Sequence, residues 1–205
     1  MVQQAHAYLR AAVRGVPADA WGSPTPCTEW TVRQVLNHAR LDQQAYGAFI
    51  TGEGRPESDP FQPADAFEAD PVKELDEILD RVSAAWQTVP TDAETVTTPL
   101  PVGPLPLWVG AGACALDAAV HAWDIAVATG QDLPLPASLA QPLLAVAGEP
   151  WTEQLRAFAF APVVAAPDGA PGTEADQLLR HLGRNPGWAP PAPRPDLPER
   201  RMTCA

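Results

Sequence analysis

An apolar segment near the middle of the chain carries three ionisable groups at helical spacing. In Leu116-Asp117-Ala-Ala-Val-His121-Ala-Trp123-Asp124, residues Asp117, His121 and Asp124 fall at i, i+4 and i+7. On an α-helix these positions form one stripe. The same face is otherwise Ala, Val and Leu, so the stripe must be buried. Two carboxylates and an imidazole are costly to bury unless something pairs with them. A divalent cation is one such partner, and the remaining question is whether the chain supplies a further ligand.

The 205 residues suffice for one domain with a substantial core, expected over 1–190, followed by a flexible Pro-rich tail over 191–205. A net charge of −12 argues against nucleic acid and anionic membrane as partners. The N-terminus MVQQAHAYLRAAV lacks the basic start and apolar core of a signal peptide, and no apolar run reaches membrane-spanning length. Cys27, Cys114 and Cys204 are odd in number and far apart, giving neither a disulfide framework nor a Cys-x-x-Cys knuckle. A reduced, cytoplasmic protein is expected, either monomer or homodimer.

Hydrophobic periodicity predicts helices over 2–15, 32–50, 71–89 and 108–129, with shorter ones at 137–147, 149–158 and 174–182. Thr31 with Gln34 reads as a capping box, and Asp70-Pro71 as a cap followed by a first-turn proline. Residues 94–107 hold too many prolines for a central strand and suit an extended connection or a short hairpin. The fold class is therefore all-α, an antiparallel four-helix bundle with short extra C-terminal helices.

Of four histidines, His6 is expected to be exposed near a frayed helix end and His181 to sit among solvated neighbours. His38 and His121 lie inside amphipathic helices. Asp117 and His121, one turn apart, can reach one ion, and His38 can join them from a facing helix. Two imidazoles and a carboxylate leave positions open for water or substrate, the catalytic pattern for zinc. Asp124 could orient His121 through its other N–H or carry a proton. Asp42, one turn after His38, could do the same, act as a base, or be a solvated surface residue. Gln34 and Asn37 are candidates for polar contacts behind the ligands. Cys114 is either a soft fourth ligand or a small buried hydrophobe. Nothing near Cys27 in sequence activates it. Trp30, Trp108 and Trp123 either line a cavity or belong to the core.

Three blocks carry a resemblance. They are Thr25-Pro26-Cys27-Thr28-Glu29-Trp30-Thr31-Val32-Arg33 with Asn37-His38, then Asp117-x3-His121-Ala-Trp123-Asp124 running to Thr129-Gly130, then Leu182-Gly183-Arg184-Asn185-Pro186-Gly187-Trp188. Together, over about residues 2–190, the chain resembles the actinobacterial DinB-like metal-binding proteins. That superfamily includes the mycothiol-dependent maleylpyruvate isomerases and related mycothiol S-transferases. The resemblance implies a four-helix bundle binding one divalent ion, zinc or nickel, through His38, Asp117 and His121. The isomerases have Glu where this chain has Asp117, and they are expected to carry a further C-terminal domain that this chain lacks.

The function so implied is a metal-dependent transferase or isomerase that adds a low-molecular-weight thiol, mycothiol or a similar one, to an electrophilic small molecule. Asp42 and Asp124 would move protons, and Arg33 and Arg40 would meet carboxylates of the thiol cosubstrate or of an acidic substrate. Two alternatives remain. One is a thiol-independent metal-assisted hydrolase, lyase, isomerase or cyclase in specialised metabolism. The other is a non-enzymatic metal-binding stress protein.

Overall fold

The computed structural model describes residues 1–54 and 56–191. Apart from Pro191, the expected tail lies outside the described residues. Among the described residues seven α-helices form: α1 Val2–Arg14, α2 Val32–Thr51, α3 Pro71–Thr88, α4 Leu107–Ala128, α5 Ala137–Ala147, α6 Pro150–Ala159 and α7 Glu174–His181. A two-stranded antiparallel hairpin, β1 Thr95–Val96 and β2 Leu105–Pro106, precedes α4. The fold is all-α, and the proline-rich connection takes the hairpin form.

Local chemistry sets the helix starts. Thr31 accepts from the Gln34 N–H while the Gln34 side chain accepts from the Thr31 N–H, closing the capping box of α2. Asp70 accepts from the N–H groups of Val72 and Lys73, with Pro71 in the first turn of α3. Thr173 and Asp176 form a second capping box at α7.

The first four helices pack around one core: α1 against α3 and α4, α2 against α3 and α4. The α4 helix is its centre. Its small residues let neighbours approach closely. A Cβ on Gly112 would come within 2.4 Å of Val146 on α5, and one on Gly110 within 2.4 Å of Val96 on β1. By length and composition α4 is apolar enough to cross a membrane, contrary to the sequence expectation, but 83% of its apolar window is buried inside the protein. It is a core helix, and its polar residues point into the bundle.

Two segments wall off one end of the bundle. The α2–α3 loop is pinned to α2, because Asn37 Nδ2 donates to the carbonyls of Ala64 and Ala66 at 2.7 and 3.0 Å. The C-terminal segment returns over the same end, with Leu182 fully buried beside Leu178 and Leu179 of α7.

Candidate metal centre

His38 on α2 and Asp117 and His121 on α4 converge at the floor of a cavity of about 790 Å³. Each imidazole is oriented from behind. His38 Nδ1 lies 2.7 Å from the Pro60 carbonyl. A carbonyl only accepts, so Nδ1 carries the proton and Nε2 presents its lone pair. His121 Nδ1 lies 3.0 Å from Asp124 Oδ2. Burial alone would raise the Asp124 carboxyl, but the Arg184 guanidinium and the His121 N–H outweigh it and hold it well below the usual carboxylate range. Asp124 is therefore ionised, His121 donates through Nδ1, and its Nε2 is also a bare lone pair. Burial lowers His121 to about 4 despite the Asp124 contact, so the ring is neutral near pH 7.

These two nitrogens face a carboxylate oxygen. Asp117 Oδ1 is 3.4 Å from His121 Nε2 and 3.8 Å from His38 Nε2. With both Nδ1 protons directed elsewhere, neither ring supplies a proton from Nδ1 to the space between the three atoms. Asp42 Oδ2 lies 3.7 Å from His38 Nε2. Burial, and then the nearby Asp42 charge, push the Asp117 carboxyl well above its usual range. Acceptors converge here and repel one another, and a cation relieves that. Ligand atoms around a tetrahedral zinc lie roughly 3.3–3.5 Å apart, close to the observed separations. The residues fit a divalent ion.

Asp117 is held from behind as well. Gln43 Nε2 donates to Asp117 Oδ2 at 2.8 Å and to the Cys114 carbonyl at 3.0 Å. The Gln43 carbonyl oxygen accepts from His6 Nε2 at 2.8 Å, and Ser83 hydroxyl completes the set on His6 Nδ1 at 3.1 Å. His6 is thus fully buried, not exposed as expected, because α1 packs on α4 and α3 and its His6 flank reaches Gln43 of α2 and Ser83 of α3. Burial lowers His6 to about 4. The unfolded chain takes up this proton below about pH 6.5, the folded chain only below about 4. Stability should therefore fall as pH drops through that window, by up to about 3 kcal/mol from His6. Urea unfolding of chelator-treated protein at pH 7 and pH 4.5 checks this. His6→Gln should lose part of the drop, and an undiminished drop in the variant contradicts it.

The remaining candidates divide clearly. Asp42 and Trp30 line the cavity, and the Trp30 ring sits 4.6 Å from the His38 ring. Asp124 is fully buried behind His121, so it positions the ring and does not reach the cavity. Arg33 pairs with Asp65 at 2.9 Å under the Phe67 ring, and Arg40 pairs with Glu74 of α3. Neither lines the cavity. Each reaches the nearest acid on the adjoining loop or helix instead. Gln34 is spent on the α2 cap. Trp108 is 49% exposed, and Trp123 is buried outside the cavity. The Cys114 thiol is buried against Gln43 and Trp86 and is no ligand.

Among the described residues, the arginine at this site is Arg184, one of the neighbours of His181 expected from sequence to be solvated. Its Nη2 donates to Asp124 Oδ2 at 3.1 Å and to Cys27 Sγ at 3.1 Å. Cys27 in turn donates to Asp124 at 3.2 Å, and burial pushes its thiol up to about 12. Cys27, His121 and Asp124 also lie close enough together for a metal. There, however, the guanidinium already neutralises the carboxylate. The signal for Arg184 was present in the block Leu182-Gly183-Arg184, whose buried leucine and left-handed glycine bring the chain back onto the bundle.

The fold has a solved counterpart. A crystal structure of a mutant of the mycothiol-dependent maleylpyruvate isomerase superposes with a TM-score of 0.60 at 16% identity, covering 90% of this chain and 87% of that one. Two curated relatives, the uncharacterized proteins Rv0738 and MT0763 from two strains of Mycobacterium tuberculosis, are each 32% identical over 184 residues, covering 89% of this chain and 94% of theirs. The family model for the mycothiol maleylpyruvate isomerase N-terminal domain matches residues 2–126, the span that contains His38, Asp117 and His121. On that match, the chain belongs to the mycothiol maleylpyruvate isomerase N-terminal domain family.

Proposed function

We propose that the protein is a metal-dependent enzyme that adds a low-molecular-weight thiol, mycothiol or a close analogue, to an electrophilic small molecule. The observation that carries this reading is the pair of imidazoles with bare Nε2 atoms, each fixed from behind, facing Asp117 at the floor of a large cavity. A divalent ion, zinc or nickel, held by His38, Asp117 and His121 would lower the pKa of a bound thiol and make a thiolate available near neutral pH. Asp124 and Gln43 keep His121 and Asp117 turned toward the ion. Asp42, beside the ligands and open to the cavity, takes the thiol proton. With an activated double bond as electrophile, a sulfur–carbon bond forms and the π pair moves to the neighbouring carbon. The proton held by Asp42 is returned there, and no oxidant or reductant is needed. Cys27, kept as a thiol under Asp124 and Arg184, is not the nucleophile. A reducing, cytoplasmic setting suits such a cosubstrate.

The test is a thermal shift with mycothiol on the metal-loaded and chelator-treated protein. Mycothiol should raise the unfolding temperature of the loaded form alone. At 100 times Kd the gain is about 2.7 kcal/mol, or roughly 5–10 °C for a chain of this size. Equal shifts with and without metal, or none, contradict the transferase. A metal-activated water acting on a carbonyl would then be the better reading.

A further inference from the structure

A run of hydrogen bonds behind the metal centre crosses the first four helices. It links Ser83 of α3, His6 of α1, Gln43 of α2 and Asp117 of α4. Each link has a fixed direction. The Cys114 carbonyl lies 3.0 Å from the Gln43 amide and can only accept, so the amide turns its NH2 toward α4 and its oxygen toward His6. That oxygen is 2.8 Å from His6 Nε2, which therefore carries a proton. Burial keeps the His6 ring neutral near pH 7, so its one proton is on Nε2 and Nδ1 is bare. The Ser83 hydroxyl, 3.1 Å away, donates to Nδ1. The Cys114 thiol adds a second donor to the Gln43 oxygen at 3.2 Å.

That direction matters at Asp117. Gln43 Nε2 donates to Oδ2 at 2.8 Å, and Oδ1 is the oxygen that meets the two ligand imidazoles, 3.4 Å from His121 Nε2 and 3.8 Å from His38 Nε2. His6 and Gln43 have no exposed surface, so water does not replace a partner that either one loses. Without the imidazole N–H, the buried Gln43 oxygen loses a short, strong donor and keeps the weak thiol. The amide is then freer to turn, and Asp117 with it. Two helices outside the ligand set, α1 and α3, thus bear on the ion through this run of bonds.

We infer that His6 is a positioning residue for the metal centre: acting through Gln43, it holds Asp117 with Oδ1 toward the ion. This rests on the metal-ligand reading of His38, Asp117 and His121. Two measurements on the full chain test it. The first is nitrogen NMR of the imidazole rings in the chelator-treated protein. It should find the His6 proton on Nε2, the opposite tautomer from His38 and His121. A His6 proton on Nδ1 overturns the inference, and this readout needs no variant. The second is zinc affinity, by competition with a chelating dye, together with the visible spectrum at saturating cobalt(II). His6→Leu should bind zinc about tenfold more weakly, at the low end for a partner behind a metal ligand. Its cobalt spectrum should also change, which a loss of stability alone would not cause. His6→Gln, whose side-chain N–H can stand where Nε2–H stood, should recover both. Wild-type affinity or an unchanged spectrum in His6→Leu, or no recovery in His6→Gln, overturns the inference while the metal site stands. A wild-type protein that binds neither ion contradicts the metal reading itself, and the inference with it.

Discussion

Replacing His38 or His121 with Ala should leave a folded protein that no longer retains stoichiometric metal. Binding energies of roughly 10–16 kcal/mol for four-ligand zinc sites put the loss of one ligand at several kcal/mol, or on the order of a hundredfold or more in affinity. The two variants should fail alike although they lie on different helices, since the ion needs both α2 and α4. Asp117→Asn, which keeps the shape and the Gln43 contact but removes the charge, should weaken binding in the same direction. Dialysis followed by elemental analysis reads all three, with circular dichroism as the check on folding. Full metal content in either histidine variant would mean that the ion, if any, sits elsewhere.

Arg184→Met should give the largest loss of stability among single changes at the site. It strips the cation from Asp124, which has no exposed surface, and leaves a buried carboxylate with only His121 and the Cys27 thiol. Breaking a buried pair in this way costs about 3–5 kcal/mol, or on the order of 10 °C in unfolding temperature. Adding Asp124→Asn should recover part of that loss, because the uncompensated charge is then gone. Arg184→Lys should fall between, since an ammonium cannot reproduce the fork by which Nε and Nη2 meet the two Asp124 oxygens. A double variant no more stable than Arg184→Met alone would show that Arg184 acts through packing and not through the Asp124 charge.

The helices and the polar stripe on α4 were legible because their signals are local. Asp117, His121 and Asp124 share one helical stripe, and the caps at Thr31 and Asp70 mark helix starts within three residues. The groups behind the ligands were not legible, because their partners are distant in sequence. Gln43 meets Asp117 across 74 positions, His6 meets Gln43 across 37, and Arg184 meets Asp124 across 60. No periodicity encodes such pairs. Arg33 and Arg40 show the converse. Each sits within about one and a half helix turns of His38 in sequence, yet α2 turns them toward Asp65 and Glu74. Proximity along a helix says which face a residue is near, and the neighbouring element decides what it binds. Asp124 changed meaning for the same reason: from sequence it could be a proton carrier, but Arg184 seals it and leaves it only the task of holding His121.

The central claim is that His38, Asp117 and His121 hold one divalent ion. X-ray absorption at the metal edge of the protein purified without added chelator, with elemental analysis of the same sample, tests it most directly. The account predicts one zinc or nickel per chain, with two imidazoles among its nitrogen and oxygen ligands and no sulfur from the protein. A metal-free protein that does not take up either ion, or an ion coordinated by Cys27, would contradict it.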